Sequence, residues 1–170
     1  MADELTIDEV QALNAGRYDL SGDFPAAPPL AVAAWLQGGP LTLDALCGRP
    51  VLVHLFSIQC PGCVARSIPH LNRLHDLFGS DLAIIGVNTV FENPERQTAD
   101  TVAAALEPLG IEYPVALDEG YETARRFKAP GTPTHAIIDP AGRVRRVLYG
   151  SLPGNLQRLD YALQALISEQ

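Results

Sequence analysis

Residues 54–71 read HLFSIQCPGCVARSIPHL, and the order of events within them sets the architecture. They continue an apolar run that opens at Val51, VLVHLFS, which suits a strand covered on both faces. A Pro–Gly pair between two cysteines follows. Then Ile68, Leu71, Leu74 and Phe78 recur at helical spacing, with Gly79 as a stop. A strand that turns directly into a helix puts Cys60 at the carboxyl edge of a sheet, where open α/β folds carry their sites.

The same alternation extends outward in both directions. LAVAAWL (30–36) reads as a strand and LTLDALCG (41–48) as a short capped helix ending at Gly48. LAIIGVN (82–88) is a second buried strand, residues 98–109 a helix, PVAL (114–117) a short strand and YETARRFK (121–128) another helix. THAII and RVRRVLY flank DPAG, a hairpin turn. The closing helix aligns Leu156, Leu159, Leu163, Leu166 and Ile167. These elements predict an α/β fold with a mixed central sheet, parallel inside and antiparallel at its end, flanked by helices on both faces. Ahead of it, TIDE carries a capping box, with Thr6 and Glu9 able to satisfy each other's N–H groups at the start of a helix over 7–14. The turn-rich SGDFPAAPP (21–29) then separates an N-terminal arm, residues 1–27, from the main domain, residues 28–170.

Composition narrows the function. The chain has 170 residues, enough for one domain with an arm, and 47% of them are hydrophobic, ordinary for a packed core. A formal net charge of −8 argues against nucleic acid and anionic membrane surfaces as partners. No apolar stretch approaches the length of a membrane span. The opening MADELTIDEV is acidic and lacks the basic-then-apolar layout of a secretory signal, which predicts a cytoplasmic protein. A signal sequence removed ahead of this start is compatible with the same residues.

Three cysteines are too few for a disulfide scaffold, and C-x-x-C spacing of Cys60 and Cys63 in a reducing compartment points to redox chemistry or metal. Pro61 suits a first helical position, because its missing N–H would be unpaired there anyway. The Cys60 sulfur then faces the positive end of the helix dipole, which favours thiolate, the nucleophile of disulfide exchange. Residues three apart on a helix have β-carbons about 5–6 Å apart, within reach of a disulfide after small adjustment. Two other readings stand beside this one: a chance pair of buried cysteines, or a zinc site completed by His70 and His75. The spacing C-x2-C-x6-H-x4-H differs from zinc fingers, and Pro69 interrupts it.

VLVHLFSIQCPGC, the later GTPT and the order of elements together resemble the thioredoxin-like superfamily, most closely its redoxin or TlpA-type thiol-disulfide oxidoreductases. PLTLDALCGRPVLVHLF and IEYPVALDEGYETARRFKAPGTPTHAIIDPAGRV are similar to the two halves of such proteins, so the likeness spans about residues 28–168. The resemblance implies that Cys60 attacks, that Cys63 resolves, and that Pro133 is a cis-proline facing the pair with Thr132 before it. The backbone there would pair with an extended substrate segment. Three departures accompany it. Gln59 is polar where relatives often carry an aromatic residue. His54, six positions before Cys60, stands where thioredoxins hold a buried acid. Pro69 falls one residue later than the helix-kinking proline of many relatives.

His54 can accept the proton of Cys63 during resolution, or it can be a core histidine bonded to a carbonyl. His135 reads as a core residue, His70 and His75 as surface or half-buried ones, Arg66 as a solvated charge and Cys47 as packing. Cys47 also lies roughly 25 Å of extended chain away from Cys60, at about 3.3 Å per residue. Glu92 sits at the same sheet edge as Cys60, as a proton carrier, a partner contact or a helix-start acid.

The leading expectation is therefore a two-cysteine thiol-disulfide oxidoreductase, needing no cofactor and no metal. Its partners would be a protein or small-molecule disulfide and an external thiol reductant or oxidant. A peroxiredoxin-like thiol peroxidase is the alternative, although Val53 and Ser57 occupy the positions of that family's proline and threonine, and TPTHAIID carries no arginine. A non-catalytic thioredoxin-like binding module is a third. Pro-Gly between the cysteines carries no charge that would fix the direction of reaction.

Overall fold

The computed structural model describes residues 3–169. Residues 1, 2 and 170, which the expected arm and domain ranges include, lie outside them. Six strands form one sheet: β1 (Val32–Gln37), β2 (Val51–Phe56), β3 (Ala83–Asn88), β4 (Val115–Asp118), β5 (Thr134–Ile138) and β6 (Val144–Tyr149), in the order β1-β4-β3-β2-β5-β6. The central strands β2, β3 and β4 are parallel, whereas β5 runs antiparallel to β2 and β6 antiparallel to β5. β1 is antiparallel to β4, so both margins of the sheet are antiparallel where the sequence predicted one. Every residue of β2, β3 and β5 is buried, which is why these segments are apolar without alternation.

Successive residues of β2 serve two cores. Leu52 and Phe56 pack with Ile68 and Leu71 of α3 (Ile68–Phe78), Val102 of α4 (Ala99–Leu106) and Leu159 and Leu163 of α6 (Pro153–Ser168). Val51, Val53 and Leu55 face Ala124 of α5 (Glu122–Arg126), Phe127 and the N-terminal segment. Helices thus cover both faces, as the alternation predicts. LTLDALCG makes only a three-residue 3-10 turn, Asp44–Leu46, rather than a helix. Cys47 beside it is exposed instead of packed.

The arm is part of this second core. α1 (Ile7–Asn14) begins at the capping box, with the Thr6 hydroxyl accepting from the Glu9 N–H and the Glu9 carboxylate from the Thr6 N–H. A short helix, α2 (Tyr18–Ser21), follows. Leu5, Leu13 and Phe24 are buried against the sheet, each fully buried side chain being worth about 1.5–3 kcal/mol. Asn14 exchanges two hydrogen bonds with the backbone of Val147 in β6, donating to its carbonyl at 2.7 Å and accepting from its N–H at 3.2 Å.

The cysteine helix begins irregularly. Pro61 and Gly62 are helical, then Cys63–Ser67 form a π turn before α3. Pro69 causes this. It has no N–H to give to the carbonyl four residues back, and its ring crowds that carbonyl. The Ile68 N–H instead reaches back five residues to the Cys63 carbonyl. The extra residue is absorbed there, and both Cys63 and Leu71 still face the core.

Candidate active site

β2 delivers Cys60 to the edge of the sheet through a tight turn, in which the Cys60 N–H donates to the Ser57 carbonyl at 3.1 Å. Cys60 occupies the capping position of the helix. Its sulfur accepts from the Cys63 N–H at 3.3 Å, and its carbonyl accepts from the Val64 N–H at 3.1 Å. Cys60 is half-buried, Cys63 is fully buried, and both thiols are free. The Cys60 thiol points across to the carbonyl of Thr132, 3.5 Å away. The Thr132–Pro133 bond is cis, and the Pro133 carbonyl is held by the Gly150 N–H at 2.9 Å.

The two thiols differ in setting. Burial above all, and then the neighbouring Cys60 sulfur, push the Cys63 thiol well up, while the Ser57 backbone and the Thr132 hydroxyl pull in the opposite direction. A protonated, water-excluded Cys63 beside a half-exposed Cys60 divides the pair into one sulfur that meets outside groups and one that waits beneath it. Gly62 keeps the pair close to the rest of the edge: a Cβ there would stand 2.7 Å from the Ser151 hydroxyl oxygen and 3.9 Å from the Pro133 ring.

His54 lies under this helix, fully buried. Its Nε2 and the Ser67 hydroxyl are 2.9 Å apart, and that hydroxyl donates to the Cys63 carbonyl at 3.5 Å; Nδ1 has no partner. Its ring stacks between Phe56 and His135, at centroid distances of 5.2 and 5.1 Å. His54 and His135 are cross-strand neighbours in the β2–β5 pair. Burial, then the neighbouring His135, lowers His54 well below the ordinary imidazole range. Burial also lowers His135, to about 4. Both rings are therefore neutral near pH 7. His70 is half-buried between α3 and α6, where it meets Asp160 at 2.7 Å, and Arg66 is exposed. Among the described residues no three His, Cys, Asp or Glu side chains converge as metal ligands.

A cleft of about 450 Å³ opens beside Cys60, walled by Gln59, Phe91, Glu92, Gly131 and Thr132. The sequence reading missed what holds its far wall. The buried Gln97 accepts from the Ser57 hydroxyl at 2.7 Å and from the Asn88 amide at 3.0 Å, and donates to the Glu92 carbonyl at 2.7 Å. Asn88 in turn accepts from the Ile58 N–H at 3.1 Å. These partners lie up to 40 residues apart, so no local pattern announces them.

A sheet edge that presents a helix-capping cysteine, a buried second cysteine one turn on and a facing proline loop defines a thioredoxin-like chain. It belongs to the redoxin family, whose model matches residues 22–163. The chain is 34% identical over 129 residues to "Protein DipZ" of Mycobacterium tuberculosis, a match that covers 73% of this chain and 18% of that protein. It is 26% identical over 118 residues to "Thiol-disulfide oxidoreductase ResA" of Halalkalibacterium halodurans, covering 69% of this chain and 63% of the relative. Among solved structures, a "Thiol-disulfide Isomerase from Corynebacterium glutamicum" superposes with a TM-score of 0.79 at 30% identity, covering 88% of this chain and 99% of that one. Among the described residues no helix is long and apolar enough to cross a membrane.

Proposed function

We propose that the chain is a dithiol–disulfide oxidoreductase in which Cys60 attacks and Cys63 resolves. The observation that carries this reading is the asymmetry of the pair: Cys60 stands at the helix start, open to the cleft, and the buried Cys63 donates its backbone N–H to the Cys60 sulfur. In the forward direction the Cys60 thiolate attacks one sulfur of a substrate disulfide, forming a mixed disulfide and releasing the other sulfur as thiolate. Cys63 loses its proton and attacks Cys60 in the mixed disulfide, which releases the second substrate thiolate and leaves Cys60–Cys63 oxidised. Two electrons pass from the pair to the substrate, and an external thiol reductant restores the pair. Each step also runs in reverse when the partner is the more oxidising.

Thr132 and Pro133 form the wall opposite Cys60, with the Thr132 carbonyl accepting from its thiol and the Thr132 hydroxyl supporting charge on Cys63. His54, whose Nε2 reaches the Cys63 turn through the Ser67 hydroxyl, serves as the base for Cys63 during resolution. Neutral His54 is a weak base and Cys63 a weak acid. The proton therefore moves as Cys63 attacks, when the developing negative charge passes on to the leaving sulfur.

The test is a redox titration of the pure protein in thiol/disulfide buffers, with alkylation and mass spectrometry locating the free thiols. Cys60 and Cys63 changing together in one two-electron step, with Cys47 free throughout, supports the reading. A pair that never forms the Cys60–Cys63 disulfide overturns it.

A further inference from the structure

The cleft beside Cys60 is unevenly equipped. Among the described residues Glu92 is the one charged residue lining it, so an anionic ligand finds no cation there. Phe91 lines it as well, 44% exposed, and stacks on Tyr121, 54% exposed, at a centroid distance of 5.7 Å and an interplanar angle of 20°. Exposed aromatic pairs of this kind are large, rigid contact surfaces that lose little entropy on binding.

The loop that presents them is fastened from several sides. Gln97 ties the Glu92 carbonyl to Ser57, three residues before Cys60. The Thr89 N–H donates to the Phe56 carbonyl at 2.8 Å, and the Val90 N–H to the Gly120 carbonyl at 3.0 Å, next to Tyr121. The aromatic wall and the attacking sulfur are thus held by one buried network.

We infer that residues 91–93 and Tyr121 select the substrate, an extended protein segment whose disulfide cysteine is flanked by an aromatic or aliphatic side chain and is free of neighbouring negative charge. This rests on the oxidoreductase reading and narrows it. The apolar flank of the segment packs on Phe91, while Glu92 repels carboxylates. Small acidic disulfides such as glutathione disulfide are poor substrates for the same reason.

Single-turnover oxidation of the reduced protein tests this with four disulfides. Two are synthetic disulfide-linked peptides identical except for Phe or Glu beside the cysteine; the others are glutathione disulfide and the small neutral hydroxyethyl disulfide. The Phe peptide reacts faster than the Glu peptide by about tenfold or more, the scale of discrimination that apolar contacts supply. Phe91→Ala lowers that ratio by about threefold, and what remains is the Glu92 repulsion, which added salt removes. Glu92→Lys raises the rate with glutathione disulfide by about tenfold at low salt, and added salt removes the gain. That gain of reactivity is not something a misfolded variant produces. Equal rates for the two peptides, or a ratio that Phe91→Ala leaves in place, overturns the inference while the oxidoreductase reading stands. Failure with all four, hydroxyethyl disulfide included, overturns both.

Discussion

Gly62 and Ser151 approach so closely that a Cβ on Gly62 would stand 2.7 Å from the Ser151 hydroxyl oxygen. The glycine between the cysteines is needed for space, because its φ of −65° is open to any residue. Gly62→Ala is expected to destabilise the protein by about 1–3 kcal/mol, the usual cost of overpacking. Ser151→Gly in the same chain should recover most of that loss. Urea unfolding of the single and double variants decides it, and an undiminished cost in the double variant would falsify the contact as the cause.

His54→Leu removes the imidazole that contacts the Cys63 turn through Ser67. Resolution should slow by roughly a hundredfold, within the range of general-base effects, and the mixed disulfide on Cys60 should accumulate. The defect should shrink as the pH rises, because hydroxide increasingly takes over removal of the Cys63 proton. Cys63→Ser gives the fully trapped species for comparison in intact-mass measurements. A pH-independent defect would instead mark His54 as a packing residue.

Gln97→Leu leaves the buried Asn88 amide and Ser57 hydroxyl without their shared acceptor. An unsatisfied buried polar group costs about 1–3 kcal/mol. Thermal unfolding should register that loss, and the peptide discrimination described above should weaken with it, because the loop is no longer fastened to the Cys60 turn. Gln97→Glu retains acceptor oxygens toward Ser57 and Asn88 and should recover part of the stability.

Acid should weaken the fold through the stacked histidines. His135 falls from the ordinary 6.5 to about 4 in the folded state, and His54 shifts the same way. The unfolded chain therefore takes up these protons first as the pH falls. The stability they contribute is complete above about pH 6.5 and is lost progressively as the pH falls toward 4, by up to about 1.4 kcal/mol per pH unit for each ring. Urea midpoints across that window should fall less steeply in His135→Leu. Parallel slopes in the two proteins would remove His135 from the account.

Much of the architecture was legible because it rests on short-range patterns. The unbroken apolar character of β2 and β3, the leucine stripe of α6 and the capping box at Thr6 all follow from burial or local hydrogen bonding. The cysteine pair was legible in the same way, as a strand running into a helix. What escaped depends on distance or on exceptions. Gln97 reads as one polar residue in a polar loop until Ser57 and Asn88 meet it. Phe91 and Tyr121 lie 30 positions apart and come together only at the sheet edge. Leu5 and Leu13 are isolated apolar residues in an acidic opening, too sparse to announce that this segment is core. Pro69 was legible as a proline displaced by one residue from that of many relatives, but the π turn that accommodates it was not.

The amide of Asn14 has a consequence at larger scale. An open strand edge is a template on which a second chain can grow. Beside Val147, Asn14 fills one such place with a side chain that copies a strand's donor and acceptor but extends no further. At the opposite margin β1 pairs with β4 through two register slips, an irregular outline for any newcomer to match. The β6 rim is interrupted by Asn14 at Val147, next to Arg145 and Arg146, and strand accretion is discouraged there.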